Sequence, residues 1–144
     1  MKGSSAIGTL VLVAAAGLLA CGRGETPQTA DAAARVDILA PAEGDTVDLP
    51  FTIRLGATGV EVVVATGQVE AGKGHHHLVI GGDVPTDDAP LPGAPQVVHL
   101  GTGTSEYTVD SLGPGRHRII AVFASGDHVP MPSVARDTVT VIVR

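Results

Sequence analysis

The sequence predicts an all-β fold, and three observations carry that prediction. The 144 residues include 19 glycines and 10 prolines, which are the poorest helix formers, so a helical bundle is excluded. From residue 36 onward, short runs of apolar or alternating residues are separated by turn residues. No segment there combines a helical repeat with helix caps. Seven or eight short strands at a spacing of about 8–12 residues are typical of an immunoglobulin-like β-sandwich.

The predicted strands are separated by glycine, proline and other turn residues. Residues 36–39 end before Pro41, residues 51–55 alternate until Gly56, and residues 60–64 are rich in β-branched side chains. The remaining predicted strands are residues 75–80, 97–100, 106–109, 116–124 and 137–143. The last of them places three valines on one face. Residues 83–96 carry four prolines and are predicted to form a long rigid loop.

Composition and charge exclude two broad classes of protein. Hydrophobic residues make up 44% of the chain and charged residues 17%, so the chain has enough apolar surface to fold. The net charge is −6, aromatic residues make up 2%, and the basic residues are scattered. Nucleic-acid binding needs a concentrated basic footprint and often a stacking platform, so it is not expected here.

The first 20 residues have the features of an export signal. Lys2 precedes an apolar run at residues 6–19, which would span about 21 Å as a helix, too short for a hydrocarbon core of about 30 Å. The run ends in Leu18-Leu19-Ala20-Cys21, which resembles the bacterial lipobox. The resemblance implies cleavage before Cys21 and lipid on that residue, which is the single cysteine. The alternative is an ordinary signal peptide followed by a fortuitous cysteine.

The predicted organisation therefore has three parts. Residues 1–20 are a lipoprotein signal peptide, residues 21–35 are the lipidated cysteine with a flexible tether, and residues 36–144 are the β-sandwich domain. The predicted partner of the N-terminus is a membrane. Gly22, rather than aspartate, after the cysteine favours the outer membrane facing the periplasm over the inner one.

Histidines are the residues that suggest chemistry. Alternation along residues 75–80 places His75 and His77 on one face and His76 on the other, with Leu78 and Ile80. Because Leu78 and Ile80 need the core, we expect His76 to be buried with them. His75 and His77 are then expected on the exposed side, about 6.6 Å apart along the strand.

Two imidazoles at positions i and i+2 of a strand are able to converge on one metal ion, and Cu²⁺ or Zn²⁺ suits such donors. His99 and His128 are the candidates for further ligands. Asp127 and Asp83 are candidates for ligands or for carboxylates that orient a ring. Met131 is either a soft ligand for copper or, between Pro130 and Pro132, a packing residue. The alternative interpretation is structural, with histidines that pin loops through hydrogen bonds, and His117 is interpreted as a corner residue at a strand entry.

These residues also carry a family resemblance. The segments G-H-H-H-L-V-I at 74–80, L-G-P-G-R-H at 112–117 and G-D-H-V-P at 126–130 resemble those of a bacterial exported domain-of-unknown-function family. The resemblance implies a small immunoglobulin-like domain and no established activity. The family often has a second histidine where this chain has Val97, and more histidines in the loop around Asp127.

The predicted function is a non-enzymatic lipoprotein of the cell envelope, a binding or accessory module that acts through its histidine-rich surface on an unidentified envelope partner. The alternative function is a periplasmic protein that binds copper or zinc through the same histidines. No nucleophile elbow, zinc-protease motif, phosphate loop or dinucleotide fingerprint occurs in the sequence. We therefore do not expect an enzyme.

Overall fold

A computed structural model describes residues 33–144, which form nine strands and no helix. The strands are β1 (Arg35–Ala40), β2 (Thr46–Val47), β3 (Phe51–Thr58), β4 (Glu61–Val62), β5 (Lys73–Ile80), β6 (Val97–Leu100), β7 (Glu106–Val109), β8 (Gly115–Ala124) and β9 (Asp137–Val143). Within these residues there is accordingly no helix with the length and hydropathy needed to cross a membrane. The predicted signal peptide, Cys21 and most of the predicted tether lie outside the described residues.

The strands form two sheets that pack face to face, so the predicted immunoglobulin-like β-sandwich is confirmed. One sheet has three strands in the order β1-β3-β7, and the other has the order β2-β9-β8-β5 with β4 and β6 both paired to the far edge of β5. Alternating apolar residues point from both sheets into the space between them. The largest fully buried ones include Ile53, Leu78, Ile119, Phe123 and Val141.

The turn that leads into β8 is fixed by the side chain of His117, near the start of the strand. The Nε2 atom of His117 lies 2.7 Å from the carbonyl oxygen of Gly113, four residues upstream. An Nε2–H donated to that carbonyl ties the turn to the strand. β8 pairs with the whole of β9, from Gly115 opposite Val143 to Ala121 opposite Asp137.

Three strand predictions differ from the structure. The two-residue β2 was not predicted, because its segment has no alternation and forms only by pairing in parallel with Ile142 and Val143. β3 does not end at Gly56 but continues to Thr58, since Gly56 pairs with Asp37 of β1. The predicted strand 60–64 contains only Glu61–Val62, because its partner is the short start of β5.

The outer face of the larger sheet is covered by the proline-rich loop, residues 81–96. Leu91 is buried there against Val79 of β5 and against Ile120 and Val122 of β8. These residues form a second apolar cluster, distinct from the core between the sheets. The larger sheet is therefore buried on both faces beside β5, and this cover decides the environment of the histidines.

Candidate metal centre

Two of the histidines are brought together by the alternation of β5. His75 and His77 point to the outer face of the sheet, the face that also carries Val79. Their rings tilt toward each other, so that the two Nε2 atoms lie 3.0 Å apart. The predicted convergence of an i, i+2 pair thus occurs within a single strand.

His99 joins them through strand register. β6 runs antiparallel to β5, and His77 lies directly opposite His99. Side chains opposite each other in such a pair share a face, since the pleat places them together. The two rings stack with centroids 5.0 Å apart. The donor atoms of His75, His77 and His99 all lie within 4.8 Å of one another.

His128 arrives from the loop that follows β8. Ala124, the last residue of β8, lies opposite His75, and a bridge between Ala124 and Pro130 closes the intervening loop. The loop therefore stands over the start of β5. The Nε2 atom of His128 lies 3.1 Å from that of His99, and its ring centroid is 5.0 Å from that of His75. We call His75, His77, His99 and His128 the imidazole cluster.

His128 has a backbone conformation that few residues adopt. Its φ is +71°, the only positive value at a non-glycine residue among residues 33–144. This left-handed conformation costs about 1–2 kcal/mol for an L-residue with a side chain. It is held by bonds from His128 N–H to Ser125 O at 2.8 Å and from Leu91 N–H to His128 O at 2.9 Å. The fold thus sustains strain at the residue that completes the cluster.

The spacing of the donors suits a transition-metal ion. A tetrahedral Zn²⁺ with nitrogen ligands at 2.0–2.1 Å holds its donors about 3.3 Å apart. The Nε2 atoms lie 3.0 Å apart in the His75–His77 pair and 3.1 Å apart in the His99–His128 pair, and the donor atoms of His75, His77 and His99 lie within 4.8 Å of one another. Within the described part of the chain, the metal-ligating group contains imidazoles alone, without carboxylate or thiolate. Such a set matches the ligand preference of zinc and copper rather than that of calcium or magnesium.

The expected exposure of His75 and His77 is wrong. The two residues are 0% and 1% exposed, because the loop 81–96 and His128 lie over the outer face. His99 stays exposed at the sheet edge, and His128 is half-buried. The cluster is therefore a pit with a buried floor and an open rim, not a surface patch.

Burial and mutual repulsion lower the pKa values of His75, His77 and His99 and favour their neutral form. Desolvation first, and then the nearby rings of His99 and His128, lower the pKa of His75 to about 4. Desolvation, then the charge of His75, lowers the pKa of His77 to about 3. The pKa of His99 is also lowered, by desolvation first. Neutral imidazole is the form that binds a metal ion, so the donors are ready near pH 7.

The hydrogen bonding of the buried pair is incomplete. A neutral ring has one N–H, so at most one of His75 and His77 donates Nε2–H to the other. The Nδ1 atoms of both rings are buried and have no hydrogen-bond partner. The accepting ring must then carry an Nδ1–H that is buried without an acceptor, at a cost of about 1–3 kcal/mol. Hydrogen bonds among the described residues therefore leave this buried pair unsatisfied.

The structure places the other predicted residues outside the cluster. His76 lies on the inner face as expected, edge-on to Phe123, with both ring nitrogens buried and without a partner. Asp83 pairs with Arg118 at the surface. Met131 packs against the core between the sheets, which agrees with the packing interpretation of this residue and not with the copper-ligand one.

Asp127 is not in the metal-ligating group, and its side chain bonds the loop that carries His128. Its carboxylate accepts a bond of 2.5 Å from the Ser125 hydroxyl, which is the largest cause of its lowered pKa. It also accepts a bond from Val129 N–H at 3.4 Å. The side chain of Asp127 therefore braces the loop that presents His128.

Sequence reasoning missed two glycines beside the cluster. A methyl group at Gly101 would overlap the ring of His99, so this glycine gives the ring its space. A methyl group at Gly126 would overlap the backbone of Gln68, so this glycine lets the loop before β5 pack on the loop of His128. The signal was available for Gly101, because it stands two residues after His99 and shares its face.

Comparisons with known proteins give a family and a set of similar folds. A family model described as "Domain of unknown function (DUF4399)" matches residues 53–144. None of the curated protein sequences matches the chain.

Two solved structures represent the similar folds. A crystal structure of an engineered protein is 17% identical over 80% of this chain, with a TM-score of 0.48, and this chain spans 21% of its length. The fibronectin(III)-like modules of CbhA from Clostridium thermocellum are 14% identical over 76% of this chain and 96% of theirs, with a TM-score of 0.44.

Proposed function

Since the chain belongs to this family, whose description assigns no activity, we propose from the geometry that the protein binds a divalent transition-metal ion through the imidazole cluster. One observation carries the proposal: ring nitrogens from two strands and a strained loop come together in a partly buried pit, 3.0 Å apart between His75 and His77 and 3.1 Å apart between His99 and His128. A cluster that served only to pin loops would not need two buried rings with unpartnered nitrogens.

His75, His77 and His99 are the primary ligands in this proposal, and His128 is the fourth. The donor atoms of the first three lie within 4.8 Å of one another. His128 adds a ligand from the loop after β8, beside His99. For an all-nitrogen site the Irving–Williams order favours Cu²⁺ over Zn²⁺ in affinity, so we expect copper to bind more tightly.

The test is a calorimetric titration of the purified protein with Cu²⁺ and with Zn²⁺. We expect one ion per chain, and an affinity loss of at least 100-fold in the His75→Ala/His77→Ala variant. The His117→Ala variant is the matched control, because it removes a histidine that bonds Gly113 and lies outside the cluster. Circular dichroism checks that each variant is folded. Equal weak heats in wild type and double variant would refute metal binding and leave the structural interpretation of the histidines.

We further propose that the protein is an envelope lipoprotein anchored through Cys21, on the strength of the lipobox-like sequence before it. A site at the envelope surface meets metal ions that pass outside the cytoplasm. Metabolic labelling with a clickable palmitate analogue tests the anchor. We expect label in the wild type and none in Cys21→Ala, and unlabelled wild type would contradict the anchor without affecting the metal proposal.

A further inference from the structure

The imidazole cluster opens into a cleft of about 310 Å³. Three of the four rings, those of His77, His99 and His128, form one part of its wall, whereas His75 lies beneath them. A metal ion held by the cluster is therefore sealed on the side of the sheet and faces the cleft on the other. The volume is at the lower end of the range for small-molecule sites.

The rest of the wall is apolar. The proline-rich segment 90–92, with buried Leu91 at its centre, faces the rings together with Val97 of β6. None of the residues that line the cleft is an aspartate, glutamate, lysine or arginine. The cleft thus offers imidazole donors on one part of its wall and a hydrocarbon surface on the rest.

The charge of a bound metal ion determines which kind of additional ligand it favours. Four neutral imidazoles leave a divalent ion with its full charge of two, and the described residues of the metal-ligating group include no carboxylate to compensate it. In a partly desolvated pit this charge favours an anionic ligand over a neutral one. An anion that enters through the cleft also places its remaining atoms against the apolar wall.

We propose that the metal centre accepts a fifth ligand from the cleft and that this ligand is a small monocarboxylate with a short apolar chain. The inference rests on the proposed metal binding and adds the external ligand of the bound metal ion. The carboxylate oxygen binds the metal, and the chain packs on Leu91 and Val97. Each buried methylene raises affinity about fourfold, so a longer chain binds more tightly up to the length of the cleft.

The test uses the full-length chain in detergent micelles, loaded with one equivalent of Cu²⁺, and azide as a chromophoric probe. We expect azide to give a saturable charge-transfer band. Butyrate should displace azide at a concentration at least fivefold lower than acetate does, and neutral butyramide should not displace it. Failure to bind copper would refute the proposed function itself. Bound copper with a spectrum that azide leaves unchanged, or equal competition by acetate and butyrate, would overturn this inference alone.

A pair of glycine variants tests whether the carboxylate binds in this cleft. Gly93 lines the cleft, and a Cβ there meets no atom within 4 Å, so Gly93→Phe adds a ring beside the cleft without a backbone clash. Gly113 has the same freedom and lies outside the cleft, so Gly113→Phe is the matched control. We expect Gly93→Phe to weaken butyrate binding at least fivefold with copper affinity unchanged, and Gly113→Phe to change neither. Unchanged butyrate affinity in Gly93→Phe would overturn the assignment of the cleft.

Discussion

The space around one ring is controlled by a residue that has no side chain. His99 stands at the sheet edge, exposed on its outer side, and the absent side chain of Gly101 leaves room for its ring. A ring at an edge moves at little cost, whereas buried His75 and His77 cannot move. The geometry of the cluster is therefore most easily changed at His99, and without changing a ligand.

We expect Gly101→Ala to weaken metal binding by about tenfold, typical of changes that reorient a ligand. The added methyl group displaces the ring of His99. The unfolding free energy should change by less than about 1 kcal/mol, since the displaced side chain swings into solvent. Metal titration and urea unfolding measure the two effects. The control is Gly113→Ala, where a methyl group meets nothing within 4 Å. Equal metal affinity in Gly101→Ala and wild type would contradict the role given to this glycine.

At the scale of elements, the site depends on a loop that packs as if it were a third layer. Leu91 inserts between Val79 and the outer side chains of β8, and its N–H bonds the carbonyl of His128. One residue thus anchors the proline-rich loop and ties it to the strained loop that carries a ligand. The floor of the pit comes from β5, but its burial comes from this loop.

Sequence predicted the pairing of histidines better than their burial. The period of two fixed which face carries His75 and His77, because no rearrangement of neighbours changes alternation within a strand. Burial depends instead on what covers that face, and Leu91 is one apolar residue in a run of prolines. A signal did exist. Residues 119–124 of β8 are apolar at every position, and such continuous runs are typical of strands buried on both faces.

We expect Leu91→Ala to release the loop while the sandwich stays folded. Truncation of a buried leucine costs about 2–5 kcal/mol, and here the loss falls on the contact between the loop and the sheet. Amide hydrogen exchange should accelerate in residues 81–96 and in the loop of His128, and metal affinity should fall. The control is Leu39→Ala, because Leu39 is 63% exposed. Unchanged exchange in residues 81–96 of Leu91→Ala would show that the loop is held by other contacts.

At the scale of the whole molecule, three adjacent histidines make folding depend on pH. His75 and His76 have pKa values lowered to about 4 and His77 to about 3, each mainly by desolvation. In the unfolded chain each ring titrates near its ordinary value of about 6.5. Below that pH the unfolded state binds more protons than the native state, so the free energy of unfolding falls as pH falls. The loss continues until the native rings themselves become protonated.

His76 isolates this effect from metal binding, because its ring lies on the inner face beside Phe123 and outside the imidazole cluster. Titration of His76 alone should lower the free energy of unfolding by about 2 kcal/mol between pH 7 and pH 5. In His76→Leu that contribution should disappear, and stability at pH 7 should be equal or higher, since an apolar side chain replaces two unpartnered nitrogens. Urea unfolding of the metal-free protein at pH 7, 6 and 5 measures both quantities. If the two proteins lose stability equally on acidification, His76 is not buried in the neutral form, and the inner face of β5 is packed differently from the structure described above.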